Sequence, residues 1–180
     1  TDVSALVLVF PDEERYAALP LFWVPEEGAR RRERRDRVPY LQWIREGHIE
    51  ATEGEVIQYD VIRRRINELG ETYHIREIAI DRWNATQLAT QLDGDGFEVV
   101  AFGQGYASMN WPTKKLEEVV LGGKLAHGGH PVLRWMASNV SIETDAADNW
   151  KPSKKKSTER IDGIVALGMA LGVVTTGAEE

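Results

Sequence analysis

Two aspartates stand where apolar segments end: Asp81 closes the run Ile78-Ala79-Ile80, and Asp162 is flanked by Ile161 and Ile164. An ionised carboxylate in such company is costly unless it is paired, hydrogen-bonded or bound to a metal. The placement suits a particular chemistry. Metal-ion hydrolysis of a phosphodiester uses two cations roughly 4 Å apart, one activating water and one stabilising the leaving oxygen, clamped by carboxylates on rigid elements. Each aspartate also has a plainer reading. Asp81 can cap a helix beginning near Asn84, and Asp162 can be an acid favoured by a helix N-terminus and partnered by Arg160 or a lysine. Glu159, three residues before Asp162 and so near its helix face, offers a second oxygen ligand or surface charge. Lys154, Lys155 and Lys156 stand just ahead of this helix. Positive charge there suits a phosphate backbone brought to bound metal.

Composition narrows the alternatives. The chain of 180 residues contains no cysteine, which excludes thiolate zinc sites, cysteine nucleophiles and disulfides together. Its four histidines (His48, His74, His127, His130) lack the paired helical spacing of a zinc protease, so hard, oxygen-preferring cations such as Mg2+ or Mn2+ are the better expectation. Ser108 has no G-x-S-x-G elbow around it, and Gly122-Gly123-Lys124 lacks the Ser or Thr of a phosphate loop. His127 and His130 read as structural or solvent-facing loop residues. The tryptophans read as core or surface anchors, with Trp83 placed to line a site at Asp81. A net charge of −7 argues against bulk electrostatic coating of nucleic acid. Two local basic clusters survive it: Arg30, Arg31, Arg32, Arg34, Arg35 and Arg37, and Lys151 with Lys154 to Lys156 and Arg160. No apolar run approaches the roughly 18 residues needed to span a bilayer, and a cytoplasmic setting is expected.

The elements that must position these groups follow from periodicity. Residues 3–10 (VSALVLVF) and 17–24 (AALPLFWV) read as strands of an antiparallel hairpin. Residues 25–37 read as a loop or a solvated helix, 39–46 as a short helix, and 59–69 as an amphipathic helix stopped by Gly70. Residues 75–81, 84–92 and 98–102 make a strand, a helix and a strand, a βαβ unit whose strands should be parallel. Residues 103–111 read as a glycine-bearing loop, with Pro112 opening a helix through Leu121. A brief strand at 125–127, a helix at 130–139, a strand at 140–144, a lysine-rich loop or hairpin tip at 145–156 and a buried helix over 157–174 complete a mixed α/β order.

Residues 2–11 (DVSALVLVFP), 22–27 (FWVPEE), 34–43 (RRDRVPYLQW), 75–88 (IREIAIDRWNATQL), 97–113 (FEVVAFGQGYASMNWPT) and 157–171 (STERIDGIVALGMAL) together resemble the nuclease domain of the tailed-bacteriophage large terminase subunit. The likeness covers nearly the whole chain, and IDRWNATQL and FGQGYASM are its specific strings. It implies an α/β, ribonuclease H-like fold: a mixed sheet with helices on both faces, in one nuclease domain over residues 1–180. It further implies a Mg2+- or Mn2+-dependent, two-metal endonuclease cutting concatemeric double-stranded viral DNA around packaging, in the host cytoplasm. In that family the aspartates matching Asp81 and Asp162 are metal ligands. The implied partners are duplex DNA, the terminase ATPase domain, the small terminase subunit and the portal, with no membrane. Two departures are expected to matter. No Walker motif is present, so the chain reads as the C-terminal half of a larger terminase. The family's first metal-binding aspartate precedes the segment matching residues 1–10, so that ligand is expected to be missing, Asp2 matching the hairpin instead, which puts metal affinity and activity in question. Two rival readings are a non-catalytic DNA-gripping or portal-docking module that uses the arginine run, and a branched-DNA resolvase of the same fold.

Overall fold

The computed structural model describes residues 3–82 and 85–177. Asp2, Trp83 and Asn84, which the sequence reading drew on, lie outside the described residues. The chain opens with β1 (Ser4–Asp12) and β2 (Arg15–Pro25), followed by α1 (Glu26–Asp36), α2 (Tyr40–Arg45), β3 (Glu50–Thr52) and α3 (Tyr59–Thr72). It continues through β4 (Ile78–Asp81), α4 (Thr86–Gly94), β5 (Val99–Phe102) and α5 (Tyr106–Leu121). It ends with β6 (Leu125–Ala126), α6 (Pro131–Asn139), β7 (Ile142–Thr144), β8 (Trp150–Pro152) and α7 (Asp162–Gly177).

The two long strands pair antiparallel from Ser4 opposite Trp23 to Asp12 opposite Arg15. Along the other edge of β2 lie β3 and β6, both parallel to it and at opposite ends. Strands β4 and β5 pair in parallel across α4, the βαβ unit read from the sequence. A third, antiparallel pair joins β7 to β8.

Alternation along the hairpin explains why helices cover both of its faces. Val7 and Val9 of β1, with Tyr16 and Ala18 of β2, meet Leu167 and Leu171 of α7. Farther along that face, Ala5, Phe22 and Val24 meet residues of α1, α2 and α6. The intervening positions Leu6, Leu21 and Trp23 point the other way, onto Ile62 and Ile66 of α3 and Leu88 and Leu92 of α4. Successive strand residues project to opposite sides, so a strand buried on both faces must be apolar at both parities. That is why VSALVLVF reads as a continuous apolar run.

Helix α7 is the central helical element. Ile161, just before it, with Val165 and Met169, packs on Ala79 of β4, Phe102 of β5 and Met109 of α5. Ile164, Leu167 and Leu171 pack on the hairpin side. Leu167 and Leu171 are 1% and 0% exposed, and full burial of one such side chain contributes roughly 1.5–3 kcal/mol. Two apolar stripes on one helix leave no wet face, so its boundaries are set by what surrounds it.

The structure revises three readings of the sequence, resolves one and adds a strand. Helix α7 begins at Asp162, not near Ser157. Residues before it are spent on other bonds: the Thr158 amide donates to the Asn139 carbonyl (3.1 Å), and Asn139 Nδ2 donates to the Arg160 carbonyl (2.9 Å). Backbone groups committed to a distant partner are not free to close the turns of a helix. Pro112 lies inside α5 rather than at its start, with its ring against Gly172 of α7. Gly70 does not stop α3, which runs to Thr72; its missing side chain makes room for the Phe97 ring, 3.2 Å from where a Cβ would stand. Residues 26–36 resolve the loop-or-helix alternative as a helix, and three-residue β3 had no periodicity to announce it.

Candidate active-site cleft

Strand β4 presents Asp81 at its carboxyl end, level with Phe102 of parallel β5. The Arg82 amide donates to the Phe102 carbonyl (3.0 Å), carrying the pairing one residue beyond Asp81. The C-terminal edge of parallel strands is where open α/β sheets gather ligands, because both strands end there and the following loops diverge. Here that edge opens into a cleft of about 440 Å3. Asp81 and Gln104 line one part of it, Met109 and Val165 supply apolar wall, and the β7–β8 hairpin with its outgoing turn supplies Glu143, Lys151, Ser153, Lys154 and Lys155.

Lys154 and Lys155 line the same cleft as Asp81. Lys156 is not among the lining residues, but its Nζ stands 3.8 Å from Oε1 of Glu143, which is. Asp162 is not among the cleft-lining residues. It occupies the first turn of α7, 25% exposed, with Oδ2 3.6 Å from Nε of Arg160. Val165, three residues on and so on the same side of the helix, does line the cleft. Through Ile161 and Val165 the start of α7 also packs against Ala79 of β4.

Glu159 is not on the face of Asp162, because α7 starts after it. Its Oε1 accepts from Nη2 of Arg32 (3.0 Å), and Arg32 Nε reaches Asp36 at 3.4 Å. Arg32, whose side chain is only 13% exposed, thus ties α1 to the segment ahead of α7. Its neighbours on α1 remain at the surface, Arg30 against Glu26 and Arg31 against Glu55. The histidines have structural settings. His127 Nδ1 accepts from the Gly129 amide (3.1 Å), and His130 precedes α6 between Phe22 and His48. Burial, and then the neighbouring His48, push the His130 imidazole below its usual pKa.

Glu143 was not singled out from the sequence. It sits opposite Lys151 in the hairpin. The Ser153 hydroxyl above all, then Lys156 and the Tyr106 hydroxyl, hold its carboxyl below the usual range against the opposing effect of burial, so it is ionised at neutral pH. Only the cross-strand register exposes it, and spacing along the chain gives no sign of it.

The cleft's donors are hard. They are the Asp81 and Glu143 carboxylates and the carbonyl of Gln104, whose amide N–H is directed at Sδ of Met169 (3.3 Å). Among the described residues, no group of three or more acids or histidines is placed to hold a metal ion. A magnesium-type cation does not require such a cage, since it is usually held by one or two carboxylates with waters and substrate phosphates completing its shell. The donor set fits such an ion and does not fit thiophilic or imidazole-preferring metals.

Known proteins place the chain in context. A family model described as "Terminase large subunit, endonuclease domain" matches residues 1–178. The large terminase subunit of Enterobacteria phage HK97 is 37% identical over 174 residues, 95% of this chain and 34% of that protein. Its crystal structure superposes with a TM-score of 0.89 over 96% of this chain. Protein YmfN of Escherichia coli (strain K12) is 31% identical over 163 residues, 87% of this chain and 36% of its own length. The chain thus spans about a third of the curated relatives it matches. The nuclease of the large terminase from thermophilic phage G20c, solved with bound magnesium, shares the fold at 16% identity and a TM-score of 0.52, over 65% of this chain and 62% of that one. The architecture is the ribonuclease H-like α/β fold of these nucleases. With a family match over nearly its full length and Asp81 at the carboxyl edge of its parallel strands, the chain belongs to the endonuclease-domain family of terminase large subunits.

Proposed function

We propose that this domain is a Mg2+- or Mn2+-dependent endonuclease that cuts concatemeric double-stranded viral DNA during genome packaging in the host cytoplasm. The observation that carries the reading is the cleft itself: an acid at the end of parallel β4 shares a single cavity with Lys154 and Lys155. An acidic floor with a basic rim fits a cation bridged to a phosphodiester, and fits poorly a neutral or cationic substrate. Asp81 and Asp162 would hold the metal, two ions being the fuller form of the site. Bound there, the metal supplies a Lewis acid for the phosphoryl oxygens and a water of lowered pKa.

The chain's own groups have separable tasks. Asp81 fixes negative charge at the strand edge. Asp162, at the N-terminus of α7, is favoured by the helix dipole and steadied by Arg160. Lys154 and Lys155 draw the backbone in, while Met109 and Val165 keep one wall dry. The magnesium in the G20c nuclease supports the choice of a divalent cation. Among the described residues, no helix is long and apolar enough to cross a membrane. The ATPase domain, the small terminase subunit and the portal are the partners this reading requires.

The direct test is nicking of supercoiled plasmid by this chain. Nicking is expected with Mg2+ or Mn2+ and none with excess EDTA, and re-addition of the metal restores it. Duplex binding with no cleavage in either metal would favour the DNA-gripping module. Cleavage confined to branched DNA would favour the resolvase. A second expected result concerns the rim. Replacing Lys154 and Lys155 together by Ala weakens duplex binding for every sequence tested and lowers the slope of log K against log salt by about two, near 0.9 for each phosphate left without its lysine. An unchanged slope, followed by fluorescence anisotropy, would remove these lysines from the DNA path.

A further inference from the structure

Lys154, Lys155 and Lys156 are exposed, yet the turn that carries them is tightly bonded. The Ser153 amide donates to the Ser141 carbonyl (2.8 Å), and Ser153 Oγ accepts from the Lys156 amide (3.0 Å). Ser157 Oγ donates to the Ser153 carbonyl and accepts from the Ser141 amide (3.0 Å). Residues 154–156 are therefore sewn to the start of β7 from both ends. Ser153, only 1% exposed, is the buried centre of this arrangement.

Glu143 completes it. One residue, Ile142, separates it from Ser141, and it shares the cleft with Asp81, Lys154 and Lys155. Lys156 Nζ lies 3.8 Å from its carboxylate. Lys151, its cross-strand partner, lays its ammonium 4.4 Å from the centroid of the Tyr106 ring. Four lysines within six positions would repel one another, and Glu143 sets one negative charge among them, with Lys156 at ion-pair distance and Lys151 across the hairpin. Among the described residues, neither Lys154 nor Lys155 has an acid partner, so their charge is left for a ligand.

We propose that Glu143 is a positioning residue for DNA: acting through Ser153 and Lys156, it fixes the turn 154–156 over the Asp81 cleft, where Lys154 and Lys155 meet the phosphate backbone. The proposal rests on the nuclease reading for the identity of its ligand. Simple electrostatics makes the opposite forecast. Removing an acid from the rim would tighten the binding of a polyanion, whereas loss of a positioning group weakens it.

Fluorescence anisotropy with a labelled duplex in EDTA measures this without cleavage. Glu143→Ala is expected to bind about tenfold more weakly, the equivalent of removing one charge-assisted bond. Glu143→Gln, which keeps an acceptor for Ser153, should recover most of that. Backbone amide exchange at 154–157 should quicken in Glu143→Ala and not in Glu143→Gln. Should Glu143→Ala prove too unstable to assay, Tyr106→Phe removes the hydroxyl that bonds the same carboxylate and should weaken binding and quicken the same amides. Affinity that is unchanged or improved in Glu143→Ala, or in Tyr106→Phe where it stands in, overturns the proposal. So does a fall in Mn2+ affinity with duplex affinity intact, which would make Glu143 a metal ligand. A wild-type chain that binds but does not nick, with Glu143→Ala binding more weakly, would instead reject the nuclease reading and leave this one standing.

Discussion

Asp81→Asn is expected to abolish metal-dependent nicking while the protein melts at nearly the same temperature. Asparagine keeps the shape of the side chain and one acceptor oxygen, so Asp81, partly exposed at the end of β4, can be replaced without opening a cavity. What disappears is the charge. A cation that contributes several kcal/mol of transition-state stabilisation corresponds, at 1.36 kcal/mol per tenfold, to a loss of at least about 100-fold in rate. Single-turnover cleavage of a linear duplex, set beside Mn2+ titration followed by calorimetry, reads both consequences. Metal affinity and rate should fall together. A variant that binds Mn2+ as tightly as the parent and still cuts would show that Asp81 merely ends a strand.

Asp162→Asn separates two roles in the same way. If Asp162 holds the cation, rate and metal affinity fall as they do for Asp81. If it serves only the helix N-terminus and Arg160, activity survives and stability declines by about 0.3–1 kcal/mol, the scale of a charge at a helix end. Both carboxylates must pass for the two-aspartate site to stand, because the start of α7 packs beside β4 while the walls of the cleft include Asp81 and not Asp162.

Why these two candidates stand out in the sequence, and Glu143 does not, follows from how each is encoded. Asp81 and Asp162 interrupt apolar segments, and a charge that breaks a hydrophobic pattern is visible in one dimension. The strand closed by Asp81, the parallel β4–β5 pair and the β1–β2 hairpin were equally visible, since each depends on local periodicity. Glu143 is one polar residue in a three-residue strand, and its importance comes from Lys151 across the hairpin and Ser153 beyond it. Pairing of that kind is tertiary information. The misplaced start of α7 has the same origin: STERIDGIV carries helical spacing, but Asn139 and Ser141 claim the bonds of the segment at 157–160. Pro112 deceived for a different reason. Proline inside a helix costs about 3 kcal/mol in isolation, and no local rule anticipates the packing against α7 that accompanies it.

That packing leads to the second large effect. Gly172→Ala in α7 would ordinarily stabilise the protein, since alanine is favoured over glycine in a helix by about 1 kcal/mol. Here the added Cβ would stand 2.7 Å from Cγ and 3.2 Å from Cβ of Pro112, with Phe102 Cζ at 3.4 Å. The nearest atoms belong to a pyrrolidine ring, which cannot swing aside, so α5 and α7 must separate. Overpacking of this kind costs about 1–3 kcal/mol, enough to reverse the propensity gain, and each net kcal/mol lowers the midpoint of a domain this size by roughly 2–4 °C. Gly94, at the end of α4 with nothing within 4 Å of its Cβ position, provides the control. Gly94→Ala should leave the melting temperature level or raise it, and Gly172→Ala should lower it; Gly172→Val should lower it further. The displacement also reaches the cleft, because α7 contributes Val165 and α5 contributes Met109 to its wall. Misplacement of a catalytic group by about 1 Å can cost 100-fold in rate. Gly172→Ala should therefore lose nicking activity at temperatures well below its melting point, out of proportion to the fraction unfolded. Equal melting temperatures for Gly172→Ala and the parent would mean that the α5–α7 crossing is looser than the packing of Pro112 on Gly172 implies.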